Sequence, residues 1–348
     1  MFVIRPVSQQ DVPDLLELAH LTGFGLTTLP RDQALLERRV RDSQRGFEKL
    51  EGERPAGERY LFVLENLKTR RIVGTSGLLS KVGGFEPFYA YRIETEIHHS
   101  RQLRVRKEIR TLHLVREHSG PSEVGSLFLH PDARQGGLGR LLSLSRFLFV
   151  ADHRDFFDAE IITELRGVVD ENGHSPFWEA VGRHFFDLEY VTADYLSATD
   201  KQFIADLMPV HPIYIPLLPP EAQTVIARPH DETVPAQRIL EAEGFRLADM
   251  VDIFEAGPVL RCPRDQVRSV KESRTAELAE LANGDLESPP CIVSNTRRDF
   301  RACLTRLEPV GGRVRLPREA AGTLELGPGD PVRWVTLRTG DQVKGAPR

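Results

Sequence analysis

The residues best placed to do chemistry are seven in a row: Arg134, Gln135, Gly136, Gly137, Leu138, Gly139 and Arg140. They join a short apolar run ending at Leu129 to a helix carrying Leu141, Leu142, Leu144, Leu148 and Val150, an apolar set wide enough to imply burial on several sides. A helix that opens on such a bend leaves four backbone N–H groups without intrahelical partners. Its dipole adds partial positive charge at the same place, and glycine lets an anion come close. The bend therefore suits a diphosphate.

The remaining reactive side chains are scattered. Eleven histidines are present, and none shows metal-binding spacing such as His-Glu-x-x-His. The three cysteines, Cys262, Cys291 and Cys303, are odd in number and lack ligand spacing, so reduced thiols and no metal are expected. His230 stands on a loop between Pro229 and Asp231. Its ordinary pKa near 6.5 suits proton transfer near neutrality; on the residues alone, a loop histidine capping a neighbour is the simpler reading. His98 and His99 read as a solvated pair, His211 as a packed loop residue, and His130 as facing water beside the bend.

Stepping outward to the scaffold, Met1 to Pro6 is a short strand, and Asp11 is placed to cap a helix carrying Val12, Leu15, Leu16 and Leu18. A glycine- and threonine-rich loop (22–30) precedes a second helix over roughly 31–48. Tyr60 to Glu65 and Arg71 to Leu79 form a hairpin. Arg92 to Ile97 and Glu108 to Val115 are strand-like, Val124 to Leu129 is a strand stopped by Pro131, and Ala159 to Arg166 is a further strand. Pro235 opens a helix closed by Gly244, and a last strand is expected around Met250 to Phe254. Polar residues 264–284 read as a linker, 285–340 as a small all-β module of short runs, and 341–348 as a disordered tail.

A chain of 348 residues, 28% charged and 40% apolar, has the balance of a globular protein with two or three domains. A net charge of −5 gives no basis for nucleic-acid binding. No apolar run approaches the ~20 residues needed to span a bilayer, and no basic-then-apolar leader opens the chain. A cytoplasmic location is expected.

Arg134-x-x-Gly137-x-Gly139 behind Pro131-Asp132 resembles the acyl-CoA-binding pattern of the GNAT superfamily of N-acetyltransferases. The opening Ile4-Arg5-Pro6 and the closing Ile239-Leu240-Glu241-Ala242-Glu243-Gly244-Phe245 are similar to the ends of that fold. Over residues 1–260 the chain more narrowly resembles the arginine N-succinyltransferase family. The phrases that carry this are Phe88-Tyr89-x-Tyr91-Arg92, Leu127-Phe128-Leu129, Ser143-x-Ser145-Arg146-Phe147 and Glu164-Leu165-Arg166-Gly167. Ser175-Pro176-Phe177-Trp178, Leu207-Met208-Pro209-x-His211-Pro212-Ile213-Tyr214 and Asp252-Ile253-Phe254 extend them. Two departures stand out. Where the family often has Gly-Gln-x-His-Pro this chain has Ala227-Arg228-Pro229-His230-Asp231, and where the family has Asp-Gly-Gly-Pro it has Glu255-Ala256-Gly257-Pro258.

The resemblance implies an α+β fold: a GNAT-like mixed sheet flanked by helices over 1–263, followed by the C-terminal module. It implies succinyl transfer from succinyl-CoA to the α-amino group of arginine, the first step of succinyl-dependent arginine breakdown. His230 is then the proton donor and Leu127 a succinyl-CoA contact, with an N–H of Leu127, Phe128 or Leu129 polarising the thioester. The pantetheine arm would pair with the open edge of that strand. Arg92 or Arg166 could hold a carboxylate bidentately. Glu94, Glu96, Glu164, Asp170 and Asp231 are the candidates for a guanidinium, and spacing does not choose among them. Assembly as a homo-oligomer, or with a paralogous subunit, is expected. Ornithine or another basic amino acid as acceptor, and a non-catalytic acyl-CoA-binding subunit, are the alternatives.

Overall fold

The computed structural model describes residues 1–50, 55–284 and 286–337; the expected tail at 341–348 lies outside them. Strand β1 (Phe2–Pro6) leads to helices α1 (Val12–Leu21) and α2 (Gln33–Glu48). The hairpins β2 (Arg59–Asn66) with β3 (Arg71–Leu79) and β4 (Phe88–Ser100) with β5 (Val105–Glu117) follow. Next come β6 (Ser122–Leu129), α3 (Leu138–Asp152), β7 (Glu160–Glu164), β8 (Ile213–Tyr214), β9 (Arg246–Val251) and β10 (Pro258–Pro263). The C-terminal part holds β11 (Arg274–Ala282), β12 (Pro290–Asn295), β13 (Ala302–Arg306), β14 (Glu308–Val310), β15 (Arg313–Pro317) and β16 (Pro331–Thr336). All sixteen strands form one mixed sheet, in the order β14-β15-β11-β16-β12-β13-β1-β2-β3-β6-β7-β10-β9-β4-β5-β8.

Helices α1 and α2 cover one face of β2 and β3, with Leu15, Leu36 and Val40 packed against Leu61 and Val63. The buried residues of α2 (Leu36, Val40, Ser43, Phe47) recur at helical spacing, and Asp32 caps it by accepting the Leu35 N–H at 2.9 Å. Helix α3 covers the other face. It is buried almost all round, from Leu141 to Val150, so one sheet face cannot satisfy it. The C-terminal module supplies the second wall: Phe149 packs edge-on to Phe300 at 5.4 Å, and Ile292, Val335 and Leu337 join the same core. The module also covers an edge, since β13 pairs with β1 through Ile4 and Ala302.

Several expectations need correction. Asp11 does not cap α1. Its carboxylate receives two 2.8 Å bonds from the Arg5 guanidinium and one from the Ser8 N–H at 2.7 Å, a bidentate pair that outcompetes a cap. The strand expected around Met250 to Phe254 begins earlier, at Arg246, and is not the last of the transferase part; residues 252–255 turn instead, with the Asp252 carboxylate accepting the N–H groups of Phe254 and Glu255. Strand β10 was hidden because prolines bound it at both ends. The supposed linker 264–284 is a helix (Arg268–Glu272) and strand β11. Its polarity misleads because Arg268 is buried against Glu243 at 2.6 Å, and Glu277 and Glu280 of β11 pair with Arg313 and Arg315. The module also carries a helix, Arg318–Leu324, and β14.

Candidate active site

Strands β6 and β7 run parallel but share only the pairs Ser122–Ile161 and Glu123–Ile162. β6 then continues to Leu129 and β7 to Glu164, and their C-terminal halves diverge. The edge of β6 facing β7 is thereby left open, a place where an extended ligand can pair as a strand does. On its other edge β6 carries a bulge. The register with β3 slips between Thr75 and Gly77, so Ser126 and Leu127 both stand opposite Ser76, and Ser126 has φ +51°. A bulge leaves an extra residue outside the ladder. Arg146 of α3 braces it from behind, donating to the carbonyls of Gly77 at 3.3 Å and Gly125 at 3.1 Å. That guanidinium is only 1% exposed; burial pushes it down to about 9, so it stays charged near neutrality.

The bend begins where β6 ends. Arg134 closes back on it, donating to the Leu129 carbonyl at 3.1 Å and lying over the Phe128 ring. Gly136 (φ +60°) and Gly137 (φ +81°) occupy the left-handed region, which turns the chain into α3. The Leu138 N–H is used by the Gln135 carbonyl at 3.1 Å, and its side chain joins the core, as does that of Leu129. Among the described residues the N–H groups of Gly136, Gly137, Gly139 and Arg140 have no backbone acceptor. A methyl group added at Gly136 would meet nothing within 4 Å, so that face is open. A cavity of about 790 Å³ adjoins the outer side of the bend, between α1 and the module. Its carboxylates (Asp14, Glu17, Asp132, Glu319) outnumber Arg71, which already pairs with the first two; the amides of the bend are the better phosphate site.

Beyond the paired Glu123 and Ile162 the two chains run on to the bulge at Ser126–Leu127 and to Arg166, on either side of the cleft. The Arg166 carbonyl accepts the His230 N–H at 2.8 Å, which places the histidine there. His230 Nδ1 accepts the Glu232 N–H at 3.2 Å, leaving Nε2 as the protonated nitrogen of the neutral ring. Partial burial and the Arg166 charge push its pKa below the usual value, against the pull of Glu232 and Asp231. The Arg166 side chain is 15% exposed, touches Glu232 at 3.5 Å, and has a buried Nε without a partner. Loop 22–30 lies over it: a Cβ at Gly23 would stand 2.8 Å from its Nη2.

Of the acids singled out earlier, only Glu164 belongs to this site. Burial, then Glu123 and Asp252, push its carboxyl well above the usual range, and its Oε1 is buried and unpaired. Burial also raises Glu123, with Lys201 and Arg59 pulling it back. Asp194 is pushed up to about 7 by burial and by Asp252. Glu255, raised by burial, accepts the Gly167 N–H at 3.3 Å and the Tyr190 hydroxyl at 3.2 Å. Glu94 is engaged with Arg92 and His113, Glu96 with His98, Asp170 with the N–H groups of Asn172 and His174, and Asp231 is exposed. Arg92 does not join the site: it is exposed, bonded to Glu94 at 2.8 Å, on a strand separated from β7 by β10 and β9. His211 is exposed rather than packed, and His130 caps the Asp132 N–H. Both departures from the family phrases share one feature: Ala227 (φ +61°) and Ala256 (φ +53°) hold left-handed positions, and the Ala227 N–H bonds the Ala256 carbonyl at 2.9 Å.

A splayed parallel pair, a bulge at its centre and an amide-lined bend behind it define an acyl-CoA-dependent N-acyltransferase. Comparison with known proteins narrows this. The family described as arginine N-succinyltransferase beta subunit matches residues 2–269, and its C-terminal domain matches 274–336. The chain belongs to this family. It is similar to an arginine N-succinyltransferase of Escherichia coli, 44% identical over 340 residues (97% of this chain, 98% of the relative), and to one of Citrobacter koseri, 45% identical with the same coverage. Among solved structures it resembles arginine/ornithine succinyltransferase subunit AI from Pseudomonas aeruginosa, with a TM-score of 0.88 and 35% identity over 97% of this chain and 99% of that one.

Proposed function

We propose that this family member transfers the succinyl group of succinyl-CoA to the α-amino group of L-arginine by direct attack on the thioester. The observation that carries the mechanism is the splaying of β6 from β7, which sets the β6 bulge on one side of the cleft and the bonded His230–Arg166 pair on the other. The bend holds the CoA diphosphate, and pantetheine follows the free edge of β6. The neutral amine attacks the carbonyl carbon. An N–H at the bulge receives the negative charge that develops on oxygen, with the Arg146 charge behind it. The proton that the attacking nitrogen sheds charges His230 to the imidazolium. Collapse breaks the C–S bond and expels CoA thiolate, which takes a proton from that imidazolium and so returns the ring to its neutral form. The guanidinium of arginine meets the unpaired Glu164, and Arg166 is placed for its carboxylate.

Thiol release from succinyl-CoA is the test, with arginine, ornithine, lysine and a peptide N-terminus as acceptors. Arginine should be the best acceptor, and His230→Ala should lower kcat about 100- to 10,000-fold while CoA still binds. Release with peptide N-termini alone, or a His230→Ala enzyme of full rate, overturns the proposal. The Pseudomonas relative's description favours ornithine as a second acceptor. The family's subunit naming supports assembly from more than one chain.

A further inference from the structure

On the α1/α2 face of the sheet, beside the bulge, lies a cavity of about 50 Å³. Gly77, Gly125 and Ser126 line it from the bulge, Arg59 from the start of β2, Arg39 from α2, and Thr28 from the loop before α2. The register explains the meeting: Arg59 pairs with Leu79, and Leu79 with Glu123, so Arg59, Glu123 and Gly125 share one face. What sets the pocket apart is its unspent charge. Arg5, Arg268 and Arg333 hold carboxylates at 2.8, 2.6 and 2.8 Å. Neither the Arg39 nor the Arg59 guanidinium makes a hydrogen bond or ion pair with any described residue. Burial and the neighbouring Arg59 push Arg39 down to about 9, with Glu86 and Asp42 opposing; the two like charges line one small pocket. The Thr28 hydroxyl is buried and unpartnered as well. Glu123 also lines the pocket, but burial raises its carboxyl towards the neutral form.

We propose that Arg39 and Arg59 bind the terminal carboxylate of the transferred acyl group, and that this subsite selects succinyl over uncharged acyl chains. The inference rests on succinyl-CoA being the donor. With the thioester carbonyl at the Ser126–Leu127 bulge, the succinyl tail extends through two methylenes to its carboxylate. At about 10–15 Å³ per water-sized group, the cavity holds about three to five such groups, which matches that tail. The acceptor's own carboxylate belongs at Arg166, on the His230 side of the cleft. A guanidinium pair also matches a carboxylate in geometry, since each offers parallel N–H donors.

The experiment measures kcat/KM for succinyl-CoA and for butyryl-CoA, which keeps the chain length but lacks the carboxylate, in wild type, Arg59→Gln, Arg39→Gln and Arg39→Lys. Removing either guanidinium should cut the succinyl-to-butyryl preference about 30- to 100-fold, and Arg39→Lys should retain part of it. Melting curves and binding of bare CoA report on folding. An unchanged preference ratio in folded Arg39→Gln and Arg59→Gln overturns the proposal. So does an intact ratio with a raised KM for arginine but not for agmatine, because the pocket then holds the acceptor's carboxylate. A wild-type enzyme without preference for succinyl-CoA sinks the donor assignment itself, a different failure visible before any variant is made.

Discussion

In the proposed reaction, the bend at 134–140 and the pockets flanking the bulge handle the same ligand with different materials. In the bend, the groups that face outward are amides of nearly consecutive residues, and glycine conformation sets their direction. Around the bulge, the charges come from α2, β2, β6 and β7 and from the turn after β9. Backbone amides read a feature common to every acyl-CoA, whereas side chains converging from distant positions can distinguish one acyl group or amine from another. The proposal therefore makes grip and choice separable, so that each should be open to damage alone.

Gly137→Val should show the largest effect on grip. It forces a β-branched residue into φ +81°, with its Cβ 3.4 Å from Leu304 and Leu337, at about 1–3 kcal/mol of strain. The dissociation constants of CoA, acetyl-CoA and succinyl-CoA should rise together, by about 10- to 100-fold in a titration. A selective loss of one of them would erase the division of labour.

Next in size, Glu164→Gln should raise KM for arginine about 10- to 30-fold and leave CoA affinity where it was. A parallel fall in CoA affinity would mean that the two regions are not independent.

Protonation sharpens the contrast further. Burial, then Glu123 and Asp252, push the Glu164 carboxyl well above the usual carboxylate range. A bound cation favours the carboxylate, so Nα-succinylarginine, which has a guanidinium but no amine, should release protons on binding at pH values above the usual carboxylate range. Its affinity should rise with pH through that range. Calorimetry in buffers of different ionisation enthalpy measures the release, and Glu164→Gln should abolish the part due to this group.

Smallest is the backbone effect. Ala227→Gly and Ala256→Gly should each stabilise the fold by up to about 1 kcal/mol, because glycine accepts positive φ freely. In a chain of this size that is a rise in Tm of about 1–2 °C. A fall would show that the methyl groups pack well enough to offset their strain.

The same contrast decides what the sequence disclosed. The bend, the burial of α3 and the first hairpin are local: a few adjacent residues fix glycine conformation, helical spacing or alternation. The Glu123, Glu164 and Asp252 cluster is assembled only by strand order, with β10 inserted between β7 and β9, and no spacing records that. Arg39 left a faint trace. It sits between Leu36 and Val40 at the margin of the buried stripe of α2, where a charge needs a partner or a task. Arg92 misled because a family phrase ends on it, although its strand lies beyond β10 and β9. The 264–284 stretch misled because paired charges look like solvent-exposed ones in composition.

Helix α3 is walled by the transferase sheet on one flank and by Phe300, Val335 and Leu337 on the other. The two sequence regions recognised separately in this family, 2–269 and 274–336, therefore share a single hydrophobic interior. A chain cut near residue 270 would present a greasy flank to water along α3, the helix that follows the glycine bend. Severed at that point, the chain would split one hydrophobic interior in two, and neither fragment should stand as a catalyst by itself.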